Sequence, residues 1–289
     1  MEKEFLKRVR AIAIQTRRLI DQGMIGQYLS AFRGSGMQFR EFRNYVYGDD
    51  VRHISWNVSA RAQDPVIKTF EEERERTLFL IVDVSASLRK GPWARAKAER
   101  LAEIAAVMCM SAAEVGDQYG LMMYSDHVEK VVPPQKGKSH LLRVIRDVLY
   151  YEPKGRGTNP DIALIDLEKI LKKKSLVFLL TDLEKVPSPA VLKRVASRHE
   201  FSCFAVENPN ETHFADWPFI EIETAESRRP VTIDAKDRGF VKYMDGFYMS
   251  KHEVCTSAFR KAQADLLWLS TEADFIQDLK SFFKRKAVR

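Results

Sequence analysis

Hydrophobic positions along the chain fall into short unbroken runs, separated by longer stretches in which apolar residues return at every third or fourth place. The clearest run is Leu78-Phe79-Leu80-Ile81-Val82, which ends abruptly in Asp83-Val84-Ser85-Ala86-Ser87. So short a run without polar alternation predicts a strand covered on both faces, as in a parallel sheet. Behind it, Gly91-Pro92-Trp93 opens a long helix with an apolar stripe of Leu101, Ile104, Ala105, Met108, Ala112 and Val115, closed by Gly116-Asp117. Strands are predicted at 119–124 and 128–132, and the short turn Ser125-Asp126-His127 makes this pair antiparallel, at a sheet edge. Helices at about 138–150 and 161–173 precede a buried strand at 175–180 that ends in Thr181-Asp182. A helix at 188–199 and a strand at 201–206 continue the alternation, followed by a hairpin of 219–223 with 230–234 across Ala225-Glu226-Ser227. A helix at about 251–263, a strand at 266–269 and a helix at about 272–285 finish the chain. This alternation predicts an α/β fold, a doubly wound and mostly parallel sheet with helices on both faces.

The first quarter reads differently. Phe5, Val9, Ile12, Leu19 and Ile20 recur at helical spacing over 4–21, and from Gly23 to Tyr47 the texture turns to Gly, Arg and aromatics. Gly34-Ser35-Gly36 lacks the Lys-Ser/Thr ending of a phosphate loop and follows no predicted strand, so it reads as a structural loop. A short strand is predicted at 66–70. Asp49, Asp50 and Arg52 suit ion pairs that hold this segment to the sheet; a partner surface is the alternative, and Gly48-Asp49-Asp50 is ordinary turn chemistry. The expected division is an N-terminal helix and Gly/Arg/aromatic segment at 1–75, packing on a main domain at 76–289 with a hairpin excursion at about 207–250.

Composition narrows the function. The 289 residues are 45% hydrophobic and 30% charged, the range of a globular protein. The net charge of +7 is scattered, with short clusters at Arg17-Arg18, Lys172-Lys173-Lys174 and Lys284-Arg285-Lys286. A nucleic-acid surface would concentrate that charge on one element, so nucleic-acid binding is not expected. Cys109, Cys203 and Cys255 are far apart in apolar contexts, which fits buried thiols and neither a disulfide framework nor a zinc site. No stretch reaches the ~18 apolar residues of a membrane span, and the N-terminus has no apolar core of signal-peptide length. A cytoplasmic protein is expected.

The chemistry collects at strand ends. In such a sheet the loops after 78–83 and 175–180, and the loop before the helix at 161, can converge on the carboxyl edge, where open α/β sheets bind ligands. They carry Asp83, Ser85 and Ser87, then Asp182, then Thr158. Two carboxylates and three hydroxyls without His or Cys form a hard oxygen site, suited to Mg²⁺ or Mn²⁺ rather than zinc. Hydroxyls are weak neutral ligands, so an ion held there remains short of negative charge and open to an outside carboxylate. Ser85 and Ser87 taken alone fit helix capping equally well. Asp83 as a phosphotransferase nucleophile of the haloacid dehalogenase type would want a second Asp where Ser85 stands. His53, His127, His140, His199, His213 and His252 are dispersed and imply no triad.

Asp-x-Ser-x-Ser after an apolar strand, a later Gly-Thr loop and Thr-Asp after another apolar strand resemble the metal-ion-dependent adhesion site of von Willebrand factor A domains. By that resemblance Ser85, Ser87 and Thr158 touch the metal, and Asp83 and Asp182 act mainly through bound waters and hydrogen bonds. Upstream, Gly34-x-Gly36-x-x-Phe39, Arg43-x-Tyr45, Gly48-Asp49-Asp50-x-Arg52-x-Ile54-x-Trp56, Ala60-Arg61 and Glu71 resemble the domain of unknown function 58 family, as does the ending Leu279-Lys280-Ser281-Phe282-Phe283-Lys284-Arg285. Ser55 and Asn159 stand where that family usually has Asp. The resemblance implies a non-enzymatic, metal-dependent protein-interaction module. Its partner would be a MoxR-type AAA+ ATPase or that ATPase's client, whose acidic side chain completes the metal shell, in assembly, maturation or stress response. Hydrolysis or phosphoryl transfer at the same ion is the alternative.

Overall fold

The structure, a computed structural model, describes residues 37–62, 64–72, 76–89, 91–155, 157–211, 219–223 and 230–288. The helix expected at 4–21 and the Gly34-Ser35-Gly36 loop lie outside these residues.

Six strands form the central sheet: β3 (Thr77–Asp83), β4 (Gln118–Tyr124), β5 (Val128–Gln135), β6 (Leu176–Thr181), β7 (Glu200–Glu207) and β10 (Asp265–Ser270), while β8 (Phe219–Glu223) and β9 (Pro230–Asp234) pair as a separate antiparallel hairpin. Their lateral order is β5-β4-β3-β6-β7-β10. All neighbours are parallel except β4 and β5, the antiparallel edge pair that the short turn predicts. Numbered in chain order, the six strands read 3-2-1-4-5-6, the doubly wound arrangement in which the direction of winding reverses between the first and fourth strands. That reversal falls between β3 and β6.

Period-two alternation divides β3 between two cores. Leu78, Leu80 and Val82 point into one layer with helices α2 (Ala94–Glu114), α3 (Lys138–Tyr150) and α7 (Phe275–Ala287). Phe79 and Ile81 point into the other, with α4 (Pro160–Ile170), α5 (Pro189–Arg198) and α6 (Arg238–Lys261). Cover on both faces is why the strand is an unbroken apolar run, and the expected doubly wound α/β class is what the chain adopts. The expected stripe of α2 packs inward, with Leu101, Ile104, Ala105, Met108 and Ala112 all buried, and Gly116, at φ 81, turns the chain out of the helix. The three cysteines are free and buried. Among the described residues no helix is long and apolar enough to cross a membrane.

Several elements depart from the sequence reading. Helix α6 begins at Arg238, well ahead of the expected 251; Asp237 caps it by accepting the Phe240 N–H at 2.8 Å. Its first three turns keep Phe240, Met244 and Phe247 at helical spacing but leave most residues exposed, and Gly239 and Gly246 weaken the local signal. Helix α7 starts at Phe275, capped by Asp274, instead of 272, and α4 stops at Ile170 instead of 173. In the segment read as Gly, Arg and aromatic texture, β1 (Met37–Asn44) pairs antiparallel with β2 (Val66–Glu72), and a short helix, α1 (Trp56–Ala62), precedes β2. Among the described residues of this segment the ion pairs are local, Arg43 with Asp49 at 2.7 Å and Arg52 with Asp50 at 2.7 Å; neither reaches the central sheet.

Candidate functional site

Parallel pairing of β3 with β6, in register from Leu78 opposite Leu176 to Val82 opposite Leu180, brings two strand ends side by side at the winding reversal. Asp83 ends one; Thr181 ends the other, with Asp182 next. In open α/β sheets the crevice at this switch point is where ligands bind.

Asp83 is buried with both oxygens engaged. Its Oδ1 accepts the Ser85 N–H at 2.9 Å; its Oδ2 accepts the Thr181 hydroxyl at 2.8 Å and the Tyr124 hydroxyl at 3.2 Å. Burial, and then the neighbouring Asp182 carboxylate, push the Asp83 carboxyl up to about 6, against the hydrogen bonds from Ser85 and Thr181. Burial beside Asp83 likewise raises the Tyr124 phenol far above its ordinary value. Ser85 is fully buried at the start of a 3₁₀ turn, Ala86–Leu88, and its Oγ lies 3.1 Å from the Ser87 Oγ. Ser85 stands at the N-cap of this turn and makes no side-chain capping hydrogen bond there, so capping does not account for it.

Asp182 is held from two sides. The Lys97 ammonium, reaching from the first turn of α2, pairs with Asp182 Oδ2 at 3.1 Å and with Glu211 at 2.7 Å, and Lys251 of α6 donates to the Asp182 carbonyl at 3.3 Å. Burial alone would lower the Lys97 pKa, but Asp182 and Glu211 outweigh it and raise it. The next residue, Leu183, is buried at φ 51, a left-handed conformation uncommon for a bulky side chain, and its N–H donates to Thr181 Oγ at 3.1 Å.

Thr158 is half-buried on a loop that a neighbouring hairpin turn anchors. Asn159 N–H donates to the Ser125 carbonyl at 2.7 Å and Gly157 N–H to Asp126 Oδ2 at 3.2 Å. Glu129, with a side chain only 1% exposed, accepts the Gly155 N–H at 2.8 Å, the Lys154 N–H at 3.1 Å and the Ser125 hydroxyl at 2.6 Å. A side chain on Gly155 would collide with Ser125 Oγ and Asp126 Oδ1, so the loop needs glycine there. The turn itself is tied to β3 by the Val84 N–H, which donates to the Tyr124 carbonyl at 2.9 Å. Thus Asp83, Ser85 and Ser87 form one cluster with Asp182 beside Asp83, and Thr158 stands on the loop fastened to the next strand end. His127 sits in that same turn, its Nδ1 2.7 Å from Asp126 Oδ1.

Among the described residues no group of three or more His, Cys, Asp or Glu side chains is arranged to hold a metal ion. Any ion here would rest on hydroxyls. Adjacent oxygens around an octahedral Mg²⁺ at ~2.1 Å stand about 3 Å apart, and the two serine oxygens are 3.1 Å apart. Together with the repulsion between Asp83 and Asp182, that spacing fits a small hard cation. Asp182 fits less simply, because one of its oxygens already holds an ammonium. Lys97, Glu211, Tyr124 and Glu129 escape the sequence reading, which held Thr181 only as half of the Thr181-Asp182 strand end. Only Lys97 left a trace: it stands one turn before Leu101, in register with the apolar stripe.

Residues 41–252 match the family model described as "Protein of unknown function DUF58". Uncharacterized proteins of Mycobacterium tuberculosis and Mycobacterium bovis are each 26% identical over 279 residues, covering 95% of this chain and 87% of theirs. Similar solved structures include the conserved hypothetical protein BatB from Bacteroides thetaiotaomicron, at 12% identity and a TM-score of 0.45 over 74% of this chain and 100% of that one. Another is a von Willebrand factor type A protein from Catenulispora acidiphila, at 11% identity and a TM-score of 0.41 over 88% of this chain and 51% of that one.

Proposed function

The chain belongs to the DUF58 family of proteins of unknown function, and we propose that it is a non-enzymatic protein-interaction module whose docking point is a divalent cation at the switch point of its sheet. The observation that carries this reading is the pair of serine hydroxyls, 3.1 Å apart beside a carboxylate that burial, and then a second carboxylate, push up. Ser85, Ser87 and Thr158 would hold Mg²⁺ or Mn²⁺ directly, with Asp83 and Asp182 acting through water and hydrogen bonds. When bound, the ion supplies a hard positive centre with a coordination position open to an oxygen anion.

The chain's own residues do the rest. Tyr124 and Thr181 fix Asp83, so that it faces the serines without rotating away. Glu129 and Asp126 hold the Gly155-to-Thr158 loop against the β4–β5 turn. With neutral hydroxyls as the main ligands, the site attracts a Glu or Asp from a partner to complete the charge balance. By the family resemblance that partner is a MoxR-type AAA+ ATPase or its client.

The test is capture of the purified ATPase by the full chain with Mg²⁺ present, with chelator, and with an Asp83→Ala/Ser85→Ala variant. Capture that needs the ion and fails in the variant supports the proposal. Capture indifferent to both overturns it, and so does metal-dependent hydrolysis of phosphate esters or nucleotides that Asp83→Asn abolishes.

A further inference from the structure

Lys97 has no part in the docking mechanism as drawn, yet its position is costly. It is 5% exposed, at a place where α2 otherwise turns apolar residues inward. Replacing a buried ion pair with apolar side chains of similar volume is often neutral or stabilising, so stability alone gives little reason for an ammonium here. Its two partners explain the location. Asp182 at 3.1 Å is one of the two strand-end carboxylates, and Glu211 at 2.7 Å belongs to the 3₁₀ turn Pro209–Glu211 after β7. The ammonium is therefore fixed between the candidate site and a segment outside it. Lys251, a second cation near this loop, turns its charge to Glu184 at 2.7 Å and touches Asp182 only at the backbone carbonyl. Among the ion pairs of the described residues, Lys97 alone pairs with the Asp182 carboxylate.

We propose that Lys97 is a positioning residue that sets how tightly the strand-end site holds a divalent cation: its ammonium, fixed between Asp182 and Glu211, offsets part of the negative charge there, so that a bound ion retains positive charge for an acidic ligand. This rests on the cation-dependent docking reading. With Lys97 the three carboxylates Asp83, Asp182 and Glu211 leave two net negative charges; without it, three. A divalent ion that meets the smaller charge is held less tightly and keeps more of its pull on an incoming carboxylate. Lys97 thus exchanges affinity for the ion against affinity for the partner. Glu211 keeps the exchange in place by sharing the ammonium, so that Lys97 does not move over Asp182 altogether.

The experiment is a Mn²⁺ titration of the full chain, followed by the spin resonance of free Mn²⁺, with acetate as the acidic probe of the ion-loaded protein. Lys97→Met and Lys97→Gln are compared with wild type. Removing a unit charge within several ångströms of a divalent ion should tighten Mn²⁺ binding roughly tenfold or more and weaken the acetate response by a similar factor. A purely structural lysine predicts the opposite sign, since loosening Asp182 would only weaken the ion. If Lys97→Met fails to fold, Lys97→Gln carries the test, because its amide still donates to Asp182 without the charge. Mn²⁺ binding that is unchanged or weaker in folded Lys97→Gln, while Asp83→Ala/Ser85→Ala still abolishes it, overturns the role of Lys97 and leaves the docking reading standing. No Mn²⁺ binding by wild type overturns both.

Discussion

Glu129 shows how a single carboxylate can organise a loop that the sequence gives no reason to connect to it. Burial pushes its carboxyl up, but the Ser125 hydroxyl, the Gly155 and Lys154 amides and His127 pull harder, so it titrates down at about 2 against an ordinary 4.5. The folded state then holds fewer protons than the unfolded chain between those values, so its stabilising effect is complete above the unfolded value and drains away as pH falls towards about 2. Glu129→Gln is expected to cost on the order of 2 kcal/mol at neutral pH, as hydrogen bonds to a charged group do. Denaturation in urea at a series of pH values checks this: the gap between variant and wild type should be constant above about pH 5 and shrink below it. Asp83, Ser85, Ser87 and Asp182 were legible because each ends or follows a buried apolar run, a signal carried by neighbours in sequence. Lys97, Glu129 and Tyr124 act on residues between 25 and 85 positions away, and only the sheet brings them there.

At the scale of elements, two glycines separate a role in turning the chain from a role in close approach. Gly116 sits at φ 81 with open space around it, so Gly116→Ala should cost only the left-handed backbone, about 1–2 kcal/mol, and leave the strand ends unmoved. Gly155 is pressed against Ser125 and Asp126, and Gly155→Ala must displace the loop that carries Thr158. A loss of about 1–3 kcal/mol is expected, accompanied by weaker Mn²⁺ binding that Gly116→Ala does not show; thermal unfolding with and without Mn²⁺ reads both effects. Buried strands and the α2 stripe were readable because their periodicity is set by the cores on each side. The start of α6 was not, since its first turns are exposed and no apolar stripe is needed where nothing is buried. Its Asp237 cap was the one local sign, and Gly239 two residues on obscured it. Strand β1 mixes Met37, Phe39 and Phe42 with polar residues out of strict alternation, and its residues 41–44 are exposed, so no strand pattern marks it in the sequence.

Across the whole molecule, the arrangement of strands is what makes a site from separate motifs. Asp83 and Thr181 are 98 positions apart and share a hydrogen bond of 2.8 Å because β3 and β6 flank the reversal of winding. The parallel alternation of the chain forecast that sheet, and the rule for ligand crevices forecast its edge. What the sequence left out was charge balance: an ammonium shared between Asp182 and Glu211 stands beside the two strand-end carboxylates. The central claim is that these strand ends hold a divalent cation on hydroxyls. Its most direct test is equilibrium Mn²⁺ binding to the purified chain, wild type beside Ser85→Ala/Ser87→Ala, a pair of changes that leaves both carboxylates in place. A single saturable site displaced by Mg²⁺ and lost in the double variant is the predicted result; a wild-type chain that binds no Mn²⁺, or a double variant that binds it equally well, would contradict the account.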